Sequence, residues 1–174
     1  MNMAVPRLLC CGFFAFGAAQ IASADIPAPL EVPTGEVILE VCGNITVHNQ
    51  GDCAVFDVET LKAIGHVHLE TSTIWTEGVQ RFDGVRLKDL LQRVGAQGKS
   101  VWASAANDYG ADIPVTDATE DGPILAYMLN NEEMSLRDMG PLWVIYPYDH
   151  DSKFRSDLIY SRSVWQLVSM EVRE

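Results

Sequence analysis

The chain has 174 residues, with 12 Lys and Arg against 24 Asp and Glu, and a formal net charge of −12. Hydrophobic residues make up 48% of it, enough for a packed core, which excludes a disordered acidic tail. The negative sign excludes general attraction to nucleic-acid backbones and to anionic lipid surfaces, and the length is that of one domain.

Residues 1–24 carry one charge, Arg7, then the apolar run Leu8–Ala19 and the small-residue end Ala22-Ser23-Ala24. A basic start, a short apolar core and a small-x-small end predict a secretory signal peptide, too short for a bilayer span of about 20 residues, with cleavage after Ala24. Cys10 and Cys11 leave with it, and loss of Arg7 makes the remaining chain one charge more acidic. Export brings Cys42 and Cys53 into an oxidising environment, where a lone pair is expected to bond. Such a disulfide closes a short loop and is worth ~2–3 kcal/mol.

Residues 25–35, with Pro27, Pro29 and Pro33, read as an extended lead-in to a domain over 36–174. Glu36–Val41 alternates as a strand, and the stretch from Gly43 reads as strand running to the turn Asn49-Gln50-Gly51-Asp52. Asp57 is placed to cap a helix over Val58–Ile64 that Gly65 ends. His66–Thr71 alternates strictly, with His66, His68 and Glu70 on one face; a solvated face is the plainer reading, a metal site the alternative. Val79–Phe82 reads as a strand ending at the turn Asp83-Gly84. Leu87, Leu90, Leu91 and Val94 recur at helical spacing, with Gly95 as the stop.

Ser100–Ala105 and Ala111–Val115 read as strands joined through Asn107-Asp108-Tyr109-Gly110. Ile124–Leu129, Leu142–Tyr146 and Val164–Val172 complete the sheet, with Trp102 and Trp143 expected in the core. Interleaved strands with two or three short helices predict a single compact α+β domain with mixed sheets.

No nucleophile elbow, P-loop or dinucleotide fingerprint occurs. The distinctive feature is a set of aromatic, hydroxyl and carboxylate residues at strand ends: Thr73 and Trp75, then Asn107, Asp108 and Tyr109, then Tyr148 and Asp149, then Arg162 and Trp165. If these ends converge, rings stack on Trp or Tyr while Asp or Asn reads edge donors, a pattern suited to a flat heteroaromatic ligand.

The string Phe82-Asp83-Gly84-Val85-Arg86-Leu87-Lys88-Asp89-Leu90-Leu91 resembles a conserved block of sulfite-oxidase-type molybdopterin-binding domains. The likeness extends through Ala106–Tyr109, Ile113-Pro114, Gly140–Pro147 and Arg162–Leu167. By that resemblance the fold is that family's. Its catalytic members hold molybdenum through a cysteine thiolate after the strand that precedes the first block. Here that stretch reads Thr71-Ser72-Thr73-Ile74-Trp75-Thr76-Glu77-Gly78, without cysteine, so a molybdenum cofactor and a metal site are not expected. The chain is similar instead to cysteine-lacking periplasmic members that bind a reduced pterin such as a tetrahydromonapterin. The resemblance implies a non-catalytic protein acting on the periplasmic sensor region of a membrane-bound cyclic-di-GMP cyclase/phosphodiesterase, favouring phosphodiesterase output and limiting biofilm. For such a ligand the block ends offer Asp108 or Asp149 to the pterin's 2-amino, N3–H edge, Trp75, Tyr109 or Trp165 to stack on its ring, and Arg162 or Asn107 to its 4-oxo group. The alternatives are an oxidoreductase with atypical metal ligation and a ligand-free interaction module.

Overall fold

Asp57 organises the start of the domain. Its carboxylate accepts from the Thr60 amide at 2.8 Å, while the Thr60 hydroxyl accepts from the Asp57 amide at 2.9 Å, so the first turn of α1 (Val58–Ile64) is capped from both sides. The same carboxylate accepts from the amides of Thr34 and Gly35, at 3.0 and 2.8 Å, and pins the lead-in. The computed structural model describes residues 28–174; the expected leader over 1–24 and residues 25–27 of the lead-in lie outside the described residues. With the lead-in held by Asp57, strand β1 starts later than the alternation predicts, at Leu39–Gly43.

Gly43 then leaves the strand with φ +87°, because the Val172 backbone passes 2.3 Å from where a Cβ would stand. The predicted strand after it does not form. The amides of Thr46 and Val47 both donate to the Val94 carbonyl, so the segment wraps the end of a helix instead of pairing. The chain turns at Gln50–Cys53 into β2 (Ala54–Phe56), and the Cys42–Cys53 disulfide ties the two strands together.

β3 (Val67–Ser72) buries Leu69 and Thr71 and exposes His68 and Glu70, as alternation predicts. β4 (Val79–Arg86) overturns the predicted turn at Asp83-Gly84: the strand runs straight through, with a bulge between the two residues. Asp83 is buried and holds a two-pronged pair with Arg81, at 3.1 and 2.9 Å. Helix α2 (Leu87–Arg93) buries Leu87, Leu90 and Leu91, and Gly95 follows it at φ +61°. β5 (Ser100–Ala105), β6 (Gly110–Pro114) and β7 (Ile124–Leu129) fall where the sequence puts them within one residue. β8 (Glu132–Glu133), β9 (Trp143–Ile145), helix α3 (Asp157–Arg162) and β10 (Leu167–Arg173) complete the chain. Gln166, at φ +52°, delays β10 by three residues relative to the expected start.

Two sheets result. One has the order β2-β1-β10-β5-β6, with β1 and β10 parallel and the other neighbours antiparallel. The other has the order β3-β4-β7-β8, with β9 also paired to β7. Apolar side chains from both sheets and from α1 and α2 form one continuous core, in which Trp143 is wholly buried. Trp102 is not in it. It is half-buried, with the Arg173 guanidinium 4.9 Å above its ring and Gly110 so close that a Cβ there would clash. No helix among the described residues is long and apolar enough to cross a membrane.

Candidate functional site

The six residues that join β3 to β4 form a self-supporting loop. The Thr73 hydroxyl accepts from the amides of Trp75 and Thr76, at 3.1 and 3.0 Å, and lies 2.8 Å from the Thr76 hydroxyl. This fold of the loop turns Trp75 inward. Its indole meets Trp143, Tyr148, Tyr160 and Trp165 edge to face, with ring centroids 5.5–6.5 Å apart. Trp75 is the hub of the largest aromatic cluster among the described residues.

Beside this hub lies a cleft of ≈ 220 Å³ lined by Ser72, Thr73, Ile74, Tyr148, Asp149, Arg155 and Tyr160. Tyr148 is buried and its hydroxyl meets that of Ser163; burial pushes it up to about 12, so it stays neutral near pH 7. Asp149 accepts the Ser72 amide at 2.6 Å on one carboxylate oxygen, and the Ser72 hydroxyl and an Arg155 guanidinium N–H, each at 2.8 Å, on the other. Those bonds hold its carboxyl below the usual range, first through the Ser72 amide and hydroxyl and then through Arg155. A second Arg155 N–H donates to the Tyr148 carbonyl at 2.7 Å, which sets the guanidinium at the cleft wall.

Of the expected site residues, Thr73, Tyr148 and Asp149 line this cleft, and Trp75 and Trp165 belong to the ring cluster behind it. The other four lie apart from both. Asn107 and Asp108 form the tight β5–β6 turn, where the Asn107 side chain accepts the Tyr109 amide and Asp108 takes φ +65°. Tyr109 donates its hydroxyl to the Ser161 carbonyl at 2.7 Å, on the same helix that presents Tyr160 to Trp75. Arg162 is bound to Asp117 at 3.0 Å, and Asp117 also accepts the buried Tyr146 hydroxyl at 2.8 Å. That network fastens α3 from behind, and burial with the Asp117 charge drives the Tyr146 hydroxyl far upward. Sequence reasoning missed Tyr160 and Arg155. The one available signal was their position just after Asp149, which brackets the cleft in the chain.

Other groupings fit a ligand less well. A larger cleft, ≈ 430 Å³, is edged by Glu36, Glu59 and Glu133 and offers one aromatic ring, Tyr127, whose hydroxyl meets the His66 ring at 2.7 Å. The other His66 nitrogen stands 3.5 Å from Asp83, so both ring nitrogens have partners on neighbouring strands. Among the described residues only Glu40, Cys42 and Cys53 bring three ligand atoms close enough to hold an ion, and both sulfurs are consumed by the disulfide. The donor set does not fit a molybdenum centre either. The loop 73–78 offers hydroxyls, an indole and a carboxylate where a soft thiolate is needed, and Arg155 is the single cation lining the cleft.

The model of the oxidoreductase molybdopterin binding domain matches residues 44–149. Among solved structures, the fold is similar to the sulfane dehydrogenase SoxCD from Paracoccus pantotrophus, at 17% identity and a TM-score of 0.55. The likeness covers 78% of this chain and 37% of that one, so this chain spans little more than a third of SoxCD's matched chain. No curated protein matches the sequence.

Proposed function

The chain belongs to the oxidoreductase molybdopterin binding domain family, and from that membership we propose that it is a non-catalytic, periplasmic binder of reduced pterins. One observation carries this reading. The loop after β3, where the resemblance puts a metal-binding cysteine, instead folds around Trp75 and builds an aromatic cleft beside Asp149 and Arg155. Aromatic rings and a carboxylate stand together where no thiolate is offered, which supports a ring ligand over a metal.

In this reading the pterin bicycle lies against the aromatic cluster, and the Asp149 carboxylate takes the 2-amino and N3–H donors in two parallel charge-assisted bonds. Arg155, at the cleft wall, faces the 4-oxo group, the role the sequence assigns to Arg162 or Asn107. A cleft of ≈ 220 Å³ lies below the roughly 300–1,000 Å³ of drug-sized sites, in scale with one small bicycle. An acidic chain with one cleft cation suits a ring without phosphate. Liganded protein then engages the periplasmic sensor region of a membrane cyclic-di-GMP enzyme and favours its phosphodiesterase output, limiting biofilm; the family resemblance alone supports this step.

Calorimetry with 6,7-dimethyltetrahydropterin tests the site. Trp75→Ala and Asp149→Ala are each expected to weaken binding at least tenfold, since one removes the hub of the ring cluster and the other the charged edge reader. Unchanged affinity in both variants would place the ligand elsewhere.

A further inference from the structure

Asp149 is already engaged in the way a pterin edge would engage it. The Ser72 amide donates to one carboxylate oxygen and the Ser72 hydroxyl to the other, so one residue supplies two donors to two acceptors. Arg155 adds a third bond. A carboxylate has about four acceptor positions, three of them taken, and a two-pronged ligand edge needs one on each oxygen, the pair that the Ser72 amide and hydroxyl hold between them. One partner must yield. Every bond to the carboxylate is charge-assisted, but the Arg155 donor is itself charged and its guanidinium is also fixed on the Tyr148 carbonyl, so Arg155 stays and the neutral Ser72 donors leave.

We propose that Ser72 is an internal stand-in for the ligand edge, and that binding displaces it from Asp149 and releases the root of the 73–78 loop. The inference rests on the pterin reading of this cleft and adds how occupancy is transmitted. Ser72 is the last residue of β3, paired with Val79 at the start of β4, and β3 is the outermost strand of its sheet. Its amide bond to Asp149 anchors the strand end to the Tyr146–Asp149 segment, and the Thr71 hydroxyl reinforces this by accepting the Asp149 amide at 3.2 Å. Trp75, packed among four rings, and the Thr73 hydroxyl bonds hold the far side of the loop, so once Ser72 is freed the movement falls on the corner from Ser72 to Ile74. It carries Ile74, which is 61% exposed, and a ligand buried beside Asp149 is thereby reported at the surface.

Two measurements with 6,7-dimethyltetrahydropterin test this. Ser72→Ala deletes one competing donor and is expected to tighten binding about three- to tenfold, the worth of one net hydrogen bond. In the wild-type chain, hydrogen exchange at the Ser72 amide is expected to speed up on saturation, opposite to the usual protection at a binding site. If the wild-type chain binds and Ser72→Ala binds equally or more weakly, or the Ser72 amide is not deprotected, the displacement is overturned while the pterin reading stands. If the wild-type chain does not bind the probe, both fall together.

Discussion

Asp57 shows how much one side chain can hold. It caps α1, fixes two lead-in amides, and is 4% exposed while fully hydrogen-bonded. Its carboxyl is lowered from 3.8 to about 2, chiefly by the Thr60 amide, with the Gly35 and Thr34 amides and the Thr60 hydroxyl adding to it against the cost of burial. The folded state thus takes up this proton less readily than the unfolded chain. The resulting stability is complete above about pH 4 and lost as pH falls from about 4 to 2, on the order of 2 kcal/mol. Asp57→Asn keeps an acceptor for the cap but cannot ionise. The difference in urea midpoint between wild type and this variant is expected to shrink steadily from pH 5 to pH 2. A difference independent of pH contradicts the assignment.

Strand β4 carries the corresponding lesson for elements. An Asp-Gly pair between apolar runs is a strong hairpin signal, and the sequence offers no reason to discount it. What decides otherwise is distant in the chain. At Gly84 the Leu125 carbonyl lies 2.2 Å from where a Cβ would be, so the glycine serves close packing of β4 on β7. Asp83 is consumed by Arg81 rather than by a turn. Gly84→Ala is therefore expected to cost about 3 kcal/mol, read as a lower urea midpoint, because two backbones must separate. A loss below about 0.5 kcal/mol would mean that β4 and β7 adjust freely at this point. Elements whose cause is local, such as α1 with its Asp57 cap and α2 with its apolar stripe, were legible from the residues themselves. Strand ends set by partners from afar, Gly43 against Val172 above all, were not.

For the whole molecule, the fold was legible as a mixed α+β domain, and the family resemblance named its type before any geometry was known. The site was legible in part. Thr73, Trp75, Tyr148, Asp149 and Trp165 meet because the loops after β3 and β9 leave their sheet side by side, joined at Ser72 and Asp149. Tyr160 was not legible, since α3 is six residues long and too short to show a periodic face, and Arg155 sits in the irregular segment before it, where no spacing marks a residue. Tyr109, through the Ser161 carbonyl, and Arg162, at the end of α3, through Asp117, fix the helix that supplies Tyr160, while Asn107 shapes the turn that presents Tyr109. The most direct test of the central claim is the content of the protein purified from its own host: mass spectrometry of released small molecules together with elemental analysis on the same sample. The account predicts a reduced pterin or its oxidation product and no stoichiometric molybdenum; one molybdenum per chain, or a phosphorylated molybdopterin, would contradict it.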